Sequence, residues 1–87
     1  MSVLRLRNEQ LDWREVDGEI VALETRNSVY LSTNPSGMVL WRALAGGTTR
    51  EALVTELADR YEIERERAGS DVDLFLAELD RHGLLEQ

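Results

Sequence analysis

The side chains able to do chemistry in this chain are few, and their spacing suits little of it. The single histidine, His82, stands one residue before Gly83. No second ligand or nucleophile lies at a recognisable interval from it, as a metal centre or a base–nucleophile pair requires, and a cation at that place suits the C-terminal end of a helix. Asp71-x-Asp73 has the look of a divalent-cation loop but lacks its glycine and distal glutamate, so the pair reads as a solvated helix start. Gly46-Gly47 precedes a helical segment without the lysine of a phosphate-binding loop and reads as a turn between helices. None of the 17 acidic residues sits in an apolar motif that would raise its pKa. The absence of cysteine excludes disulfides, thiolate catalysis, Fe–S clusters and cysteine zinc sites. The expectation is a non-enzyme that needs no cofactor and no metal.

Charge narrows the partners. The net charge is −7, and all 10 basic residues are arginine. Such a field repels phosphate backbones and anionic lipid, whereas a partner with basic residues would be attracted. Arg60, Arg65 and Arg67 are the best support for a winged-helix DNA-binding protein, the alternative of a different class, but they alternate with Glu62, Glu64 and Glu66. The start, MSVLRLRNEQ, lacks the apolar core of a signal peptide, and no apolar run approaches the roughly 20 residues that cross a bilayer. A cytoplasmic protein with no nucleic-acid or membrane partner is expected.

The elements that position these residues are β first and helical afterwards. Leu11, Trp13 and Val16 mark one strand; Asp17-Gly18 is a two-residue hairpin turn; the run EIVALET, residues 19–25, is a second strand. Arg26-Asn27 makes another turn before a third strand over residues 28–33. Residues 3–7 alternate apolar and polar, which fits an extra edge strand or an extended N-terminal arm within residues 1–10. Asn34 is a natural N-cap and Pro35 a natural first residue for a helix over residues 35–45 that Gly46-Gly47 ends. A second helix spans residues 48–61, with Thr48 and Glu51 as a capping box and Ala52, Leu53, Leu57, Ala58 and Tyr61 as its apolar face. A third spans about residues 64–82, with Val72, Phe75, Leu76 and Leu79 on one face; Gly83 closes it and Leu84-Leu85 folds back. Gly69-Ser70 interrupts this helix. Either Ser70 caps a later start, or the glycine lets another chain approach closely. The sum is one domain over residues 1–87, α+β and winged-helix-like: a three-stranded antiparallel sheet followed by three helices.

Such an order leaves the third strand at an open edge, which can recognise an extended peptide by accepting it into the sheet. The succession DGEIVALET, VYLSTNPSGMVLWRAL, GGTTREALVTELADRYEI and DVDLFLAELDRHGLLE resembles the PqqD-like proteins, the recognition elements for ribosomally made precursor peptides, over about residues 11–86. The resemblance implies that the leader of a precursor peptide adds to the third strand and packs against the third helix. It further implies a partner enzyme that processes the precursor. Size and acidity make the chain most similar to the stand-alone leader-binding protein of lasso-peptide biosynthesis, which works beside a separate leader peptidase; the alternative is a PqqD-type chaperone presenting a precursor to a radical SAM enzyme.

The expected peptide-binding residues follow from that picture. Ser28, Val29, Tyr30, Leu31 and Ser32 supply backbone groups on the strand, Tyr30 adding a side chain that serves the peptide or packs on the sheet. Ladder hydrogen bonds contribute about 0.5 to 1.5 kcal/mol each, so apolar anchors are needed as well. Asp71, Leu74, Phe75 and Glu78 form a helical stripe one step round from the core face, and Leu74 is large and apolar yet off that face. Asp73, like Asp71 and Glu78, either pairs with a basic or hydroxyl-bearing leader residue or is solvated. Trp13 and Trp41 are assigned to the core.

Overall fold

A computed structural model describes residues 3–26 and 28–86. Asp17 (φ 51°) and Gly18 (φ 79°) make a tight turn with positive φ at both central residues, as a two-residue hairpin requires. It joins β2 (Leu11–Val16) to β3 (Glu19–Glu24), with Val16 opposite Glu19 and Leu11 opposite Glu24. Antiparallel to β3 lies β4 (Val29–Thr33), so the sheet order is β2-β3-β4. The third strand is one residue shorter than expected at its start, because Ser28 has φ 57° and belongs to the turn. Asn27 lies outside the described residues.

Residues 3–7 are neither a further strand of this sheet nor a free arm. β1 (Arg5–Leu6) pairs antiparallel with β5 (Leu85–Glu86), the fold-back after Gly83, in a separate two-stranded sheet. Leu6, Leu84 and Leu85 are all buried there, which pins both ends of the described chain into one core. A 3-10 turn (Asn8–Gln10) leads on to β2.

The three helices are α1 (Pro35–Gly46), α2 (Arg50–Tyr61) and α3 (Arg65–Arg81). Asn34 caps α1 as expected, its Oδ1 accepting from the Gly37 N–H at 2.8 Å. The N-cap of α2 is Thr49 rather than Thr48, and its hydroxyl accepts from the Ala52 N–H at 3.1 Å. Thr48 is unavailable because its N–H and C=O are both bonded to Leu4, so Glu51 falls too early in the helix for a capping box. On α2 the buried stripe is Leu53, Val54, Leu57 and Ala58, whereas Ala52 and Tyr61 are exposed. α3 runs unbroken through Gly69 and Ser70, so Ser70 starts nothing. Gly69 is buried, and a Cβ there would stand 3.2 Å from the Arg50 guanidinium; what approaches the glycine is a side chain of α2.

α1 lies across the inner face of the sheet. That face carries Leu11, Ile20 and Ala22, all buried, with Trp13 and Leu31 packed against the same core. Trp41 is fully buried and meets Trp13 edge-on at 6.0 Å between ring centroids. Val72 and Leu79 of α3, with Ala68, close the core from the other side. Alternation along the strands turns Val21, Leu23, Tyr30 and Ser32 to the outer face, and Tyr30 is 68% exposed.

Candidate functional site

β4 is an edge strand, and its register decides which peptide groups are free. The two-residue turn makes Val16 and Glu19 a mutually hydrogen-bonded pair, and such pairs alternate along antiparallel strands. Counting from it, Ile20, Ala22 and Glu24 turn their peptide groups toward β4, where Thr33, Leu31 and Val29 receive them. The Ile20 N–H, which donates to Thr33 Oγ1 at 3.4 Å, has the direction this requires. The N–H and C=O groups of Tyr30 and Ser32 therefore face outward, along the open edge.

Beside that edge, β4 and α3 enclose a cleft of about 250 Å³. Leu31, Ser32 and Thr33 form one wall; Phe75, Glu78, Leu79 and His82 form the other; Gly37 and Trp41 of α1 form the floor. The floor can lie low because Gly37 has no side chain: a Cβ there would stand 2.8 Å from Thr33 Cβ and 3.3 Å from the Phe75 ring. A second cleft of about 410 Å³ adjoins it past Phe75, lined by Leu40, Leu57, Asp71 and Leu74 together with Asn34, Ser36 and Gly37. Leu74 is 71% exposed, so a large apolar side chain stands over this cleft without burial of its own. An extended peptide added to β4 would send alternate side chains toward these clefts.

Polar groups mark the rim. Glu78 Oε1 lies 3.1 Å from Arg81 Nη2 and 3.3 Å from His82 Nε2, at the C-terminal end of α3. His82 is the C-cap of that helix, as its place before Gly83 predicts, but its ring also lines the first cleft. The buried Trp41 Nε1–H has no hydrogen-bond partner among the described residues, although a buried donor normally has one.

Of the expected site residues, Leu31, Ser32, Phe75 and Glu78 meet in the first cleft, and Asp71, Leu74 and Phe75 in the second. Val29 is at the start of the strand with its peptide groups turned to β3. Ser28 sits in the turn, and Tyr30 points to the opposite face of the sheet, over a depression it shares with Val21 and Leu23. Asp73 is on another side of α3, where Arg50 of α2 grips it through two bonds of 2.7 and 3.0 Å. Those bonds lower the Asp73 pKa and raise that of Arg50. Thr33, Asn34, Gly37, Trp41, Leu79 and His82 were not among the expected contacts. Asn34 and Gly37 carried a local signal, as helix start and small residue, but their place beneath α3 depends on how α1 and α3 cross.

A family profile described as coenzyme PQQ synthesis protein D (PqqD) matches residues 19–85. No curated protein sequence matches the chain. Among solved structures, the fold is similar to TbiB1 in complex with the TbiA(beta) leader peptide, with a TM-score of 0.87, 24% identity and 94% of each chain covered. It is also similar to lasso peptide synthetase B1 complexed with the leader peptide, with a TM-score of 0.79, 25% identity and 97% of this chain and 98% of the other covered. The match covers the hairpin partner of β4, the edge strand itself and all three helices, and the chain belongs to the PqqD family.

Proposed function

We propose that the chain binds the leader segment of a ribosomally made precursor peptide by β-strand addition to β4 and presents it to a separate processing enzyme. The observation that carries this reading is the open edge at Tyr30 and Ser32 lying directly beside an apolar cleft walled by α3. An edge alone supplies unspecific backbone bonds; the cleft adds side-chain discrimination. Similarity to two leader-peptide complexes supports the same reading, and the likeness to lasso peptide synthetase B1 favours the leader peptidase of a lasso pathway as the partner. The family's own description favours the second reading, in which the precursor is presented to a radical SAM enzyme. In both, the chain is a non-catalytic adaptor working in the cytoplasm, which raises the local concentration of a tethered substrate. No described helix is long and apolar enough to cross a membrane.

DNA binding is disfavoured by the fate of its best arginines. Arg60 is paired with Glu56, and Arg65 with Glu51 and the Thr55 hydroxyl, which leaves Arg67 alone of the three against a net charge of −7. The test of the proposal is isothermal titration with the synthetic leader of the chain's cognate precursor peptide, followed by mass analysis of the peptide. Saturable binding with the peptide intact is expected. No heat at micromolar protein rules the proposal out.

A further inference from the structure

The groove does not end where β4 ends. The second cleft shares Ser36, Leu57 and Asp71 with a third recess of about 460 Å³, which lies past the N-terminus of α1 and reaches Tyr61, Ile63 and Arg67 at the junction of α2 and α3. On α3 the wall residues Arg67, Asp71, Phe75, Glu78 and His82 recur at helical spacing, one stripe about 22 Å long at roughly 1.5 Å per residue. The five residues of β4 span only about 17 Å at roughly 3.3 Å each. The stripe thus outlasts the strand, and the surplus is the third recess.

The chemistry of this recess is unlike that of the first cleft. Arg67 and Asp71 are one turn apart on α3, a spacing at which opposite charges commonly pair, yet neither side chain has an ion pair or hydrogen bond with any described residue. Between them and α2 lies apolar surface from Leu57, Ile63 and the Tyr61 ring, which is 41% exposed. We infer that the recess is a second subsite for the same peptide, holding the residues that flank the segment laid along β4. It takes an apolar side chain over Tyr61 and Ile63, a carbonyl or carboxylate acceptor at the Arg67 guanidinium, and an N–H donor at the Asp71 carboxylate.

Continuity with the groove points to this peptide as the occupant, since the second cleft and the third recess adjoin along shared lining residues. A phosphate is disfavoured by the Asp71 carboxylate beside Arg67, and a second copy by the net charge of −7 on each chain. In antiparallel addition, the commoner pairing, the peptide runs opposite to β4, so the residues entering the recess are those N-terminal to the strand-adding segment. The inference rests on the strand-addition reading.

Fluorescence anisotropy with two synthetic probes tests it: the full leader of the chain's cognate precursor peptide, and the same leader begun at the first residue that pairs with the open edge at Tyr30 and Ser32. Arg67 and Tyr61 are exposed, so Arg67→Gln and Tyr61→Ser leave the fold intact, as circular dichroism checks. Each variant is expected to bind the full leader roughly five- to tenfold more weakly, while the cut leader binds wild type and variants alike. Undiminished binding of the full leader by both variants, or a cut leader that loses no affinity, overturns the subsite and leaves the groove standing. If wild type binds neither probe, strand addition itself fails, and the subsite with it.

Discussion

Ser32→Pro separates the open edge from the rest of the sheet. The register assigns the Ser32 N–H to the free side of β4, so a proline there removes no bond between β3 and β4; proline is tolerated on edge strands for that reason. The edge presents the N–H and C=O of two residues, about four bonds at roughly 0.5–1.5 kcal/mol each, or about 2–6 kcal/mol in all. A micromolar complex requires about 8 kcal/mol, so side chains in the clefts must supply the remainder, at about 1.5–3 kcal/mol for each large apolar group buried. Loss of the Ser32 bond alone weakens binding roughly 2- to 13-fold. The ring also occupies the place of the incoming carbonyl, which carries the expected loss beyond about tenfold. Titration calorimetry with the synthetic leader reads the affinity, and the urea midpoint reads the fold. Leu31→Pro is the contrasting variant: it deletes a β3–β4 bond and should unfold the domain at lower urea. Binding by folded Ser32→Pro at wild-type strength would refute strand addition at this edge.

Three further outcomes follow from the same geometry. Leu74→Asp alters a side chain that is 71% exposed, so the unfolding free energy from urea titration should change by no more than about 0.5 kcal/mol while leader affinity falls about tenfold or more; Trp13→Phe should weaken the leader less. Asn34→Ala removes the acceptor for the Gly37 N–H and should cost about 1 kcal/mol of stability by chemical denaturation. The pKa values of Asp73 and Glu15 are lowered chiefly by hydrogen bonds from Arg50 and Arg42. A depressed folded-state pKa gives stability that is complete above the unfolded value of about 4 and lost as pH falls through the folded value. The difference in urea midpoint between wild type and Asp73→Asn should therefore be constant near neutrality and close below about pH 4; a gap unchanged at pH 2.5 contradicts the pairing.

Much of the fold was legible because it is encoded locally. Asp17-Gly18 and Asn34-Pro35 each define a turn or a cap through their own φ preferences, and the structure places both as expected. The miss at Thr48 has a non-local cause. Two adjacent threonines offer equivalent caps, and the choice of Thr49 was made by Leu4, which bonds both peptide groups of Thr48 from 44 positions away in the chain. Gly69 behaves likewise: its cost to the helix is visible in the sequence, but the guanidinium that fills its space arrives from α2.

Composition, turn chemistry and periodicity determined by themselves the order of strands and helices, the lack of cysteine chemistry, and the stripe on α3 with Leu74 standing off the core face. They did so because each depends on residues close in sequence. Only the tertiary structure decided which side of β4 is open, that Asp73 is held by Arg50 away from the groove, and that Gly37, Trp41 and His82 complete the cleft. Those facts depend on strand register and helix crossing, which bring together groups tens of residues apart and have no signature in any one segment.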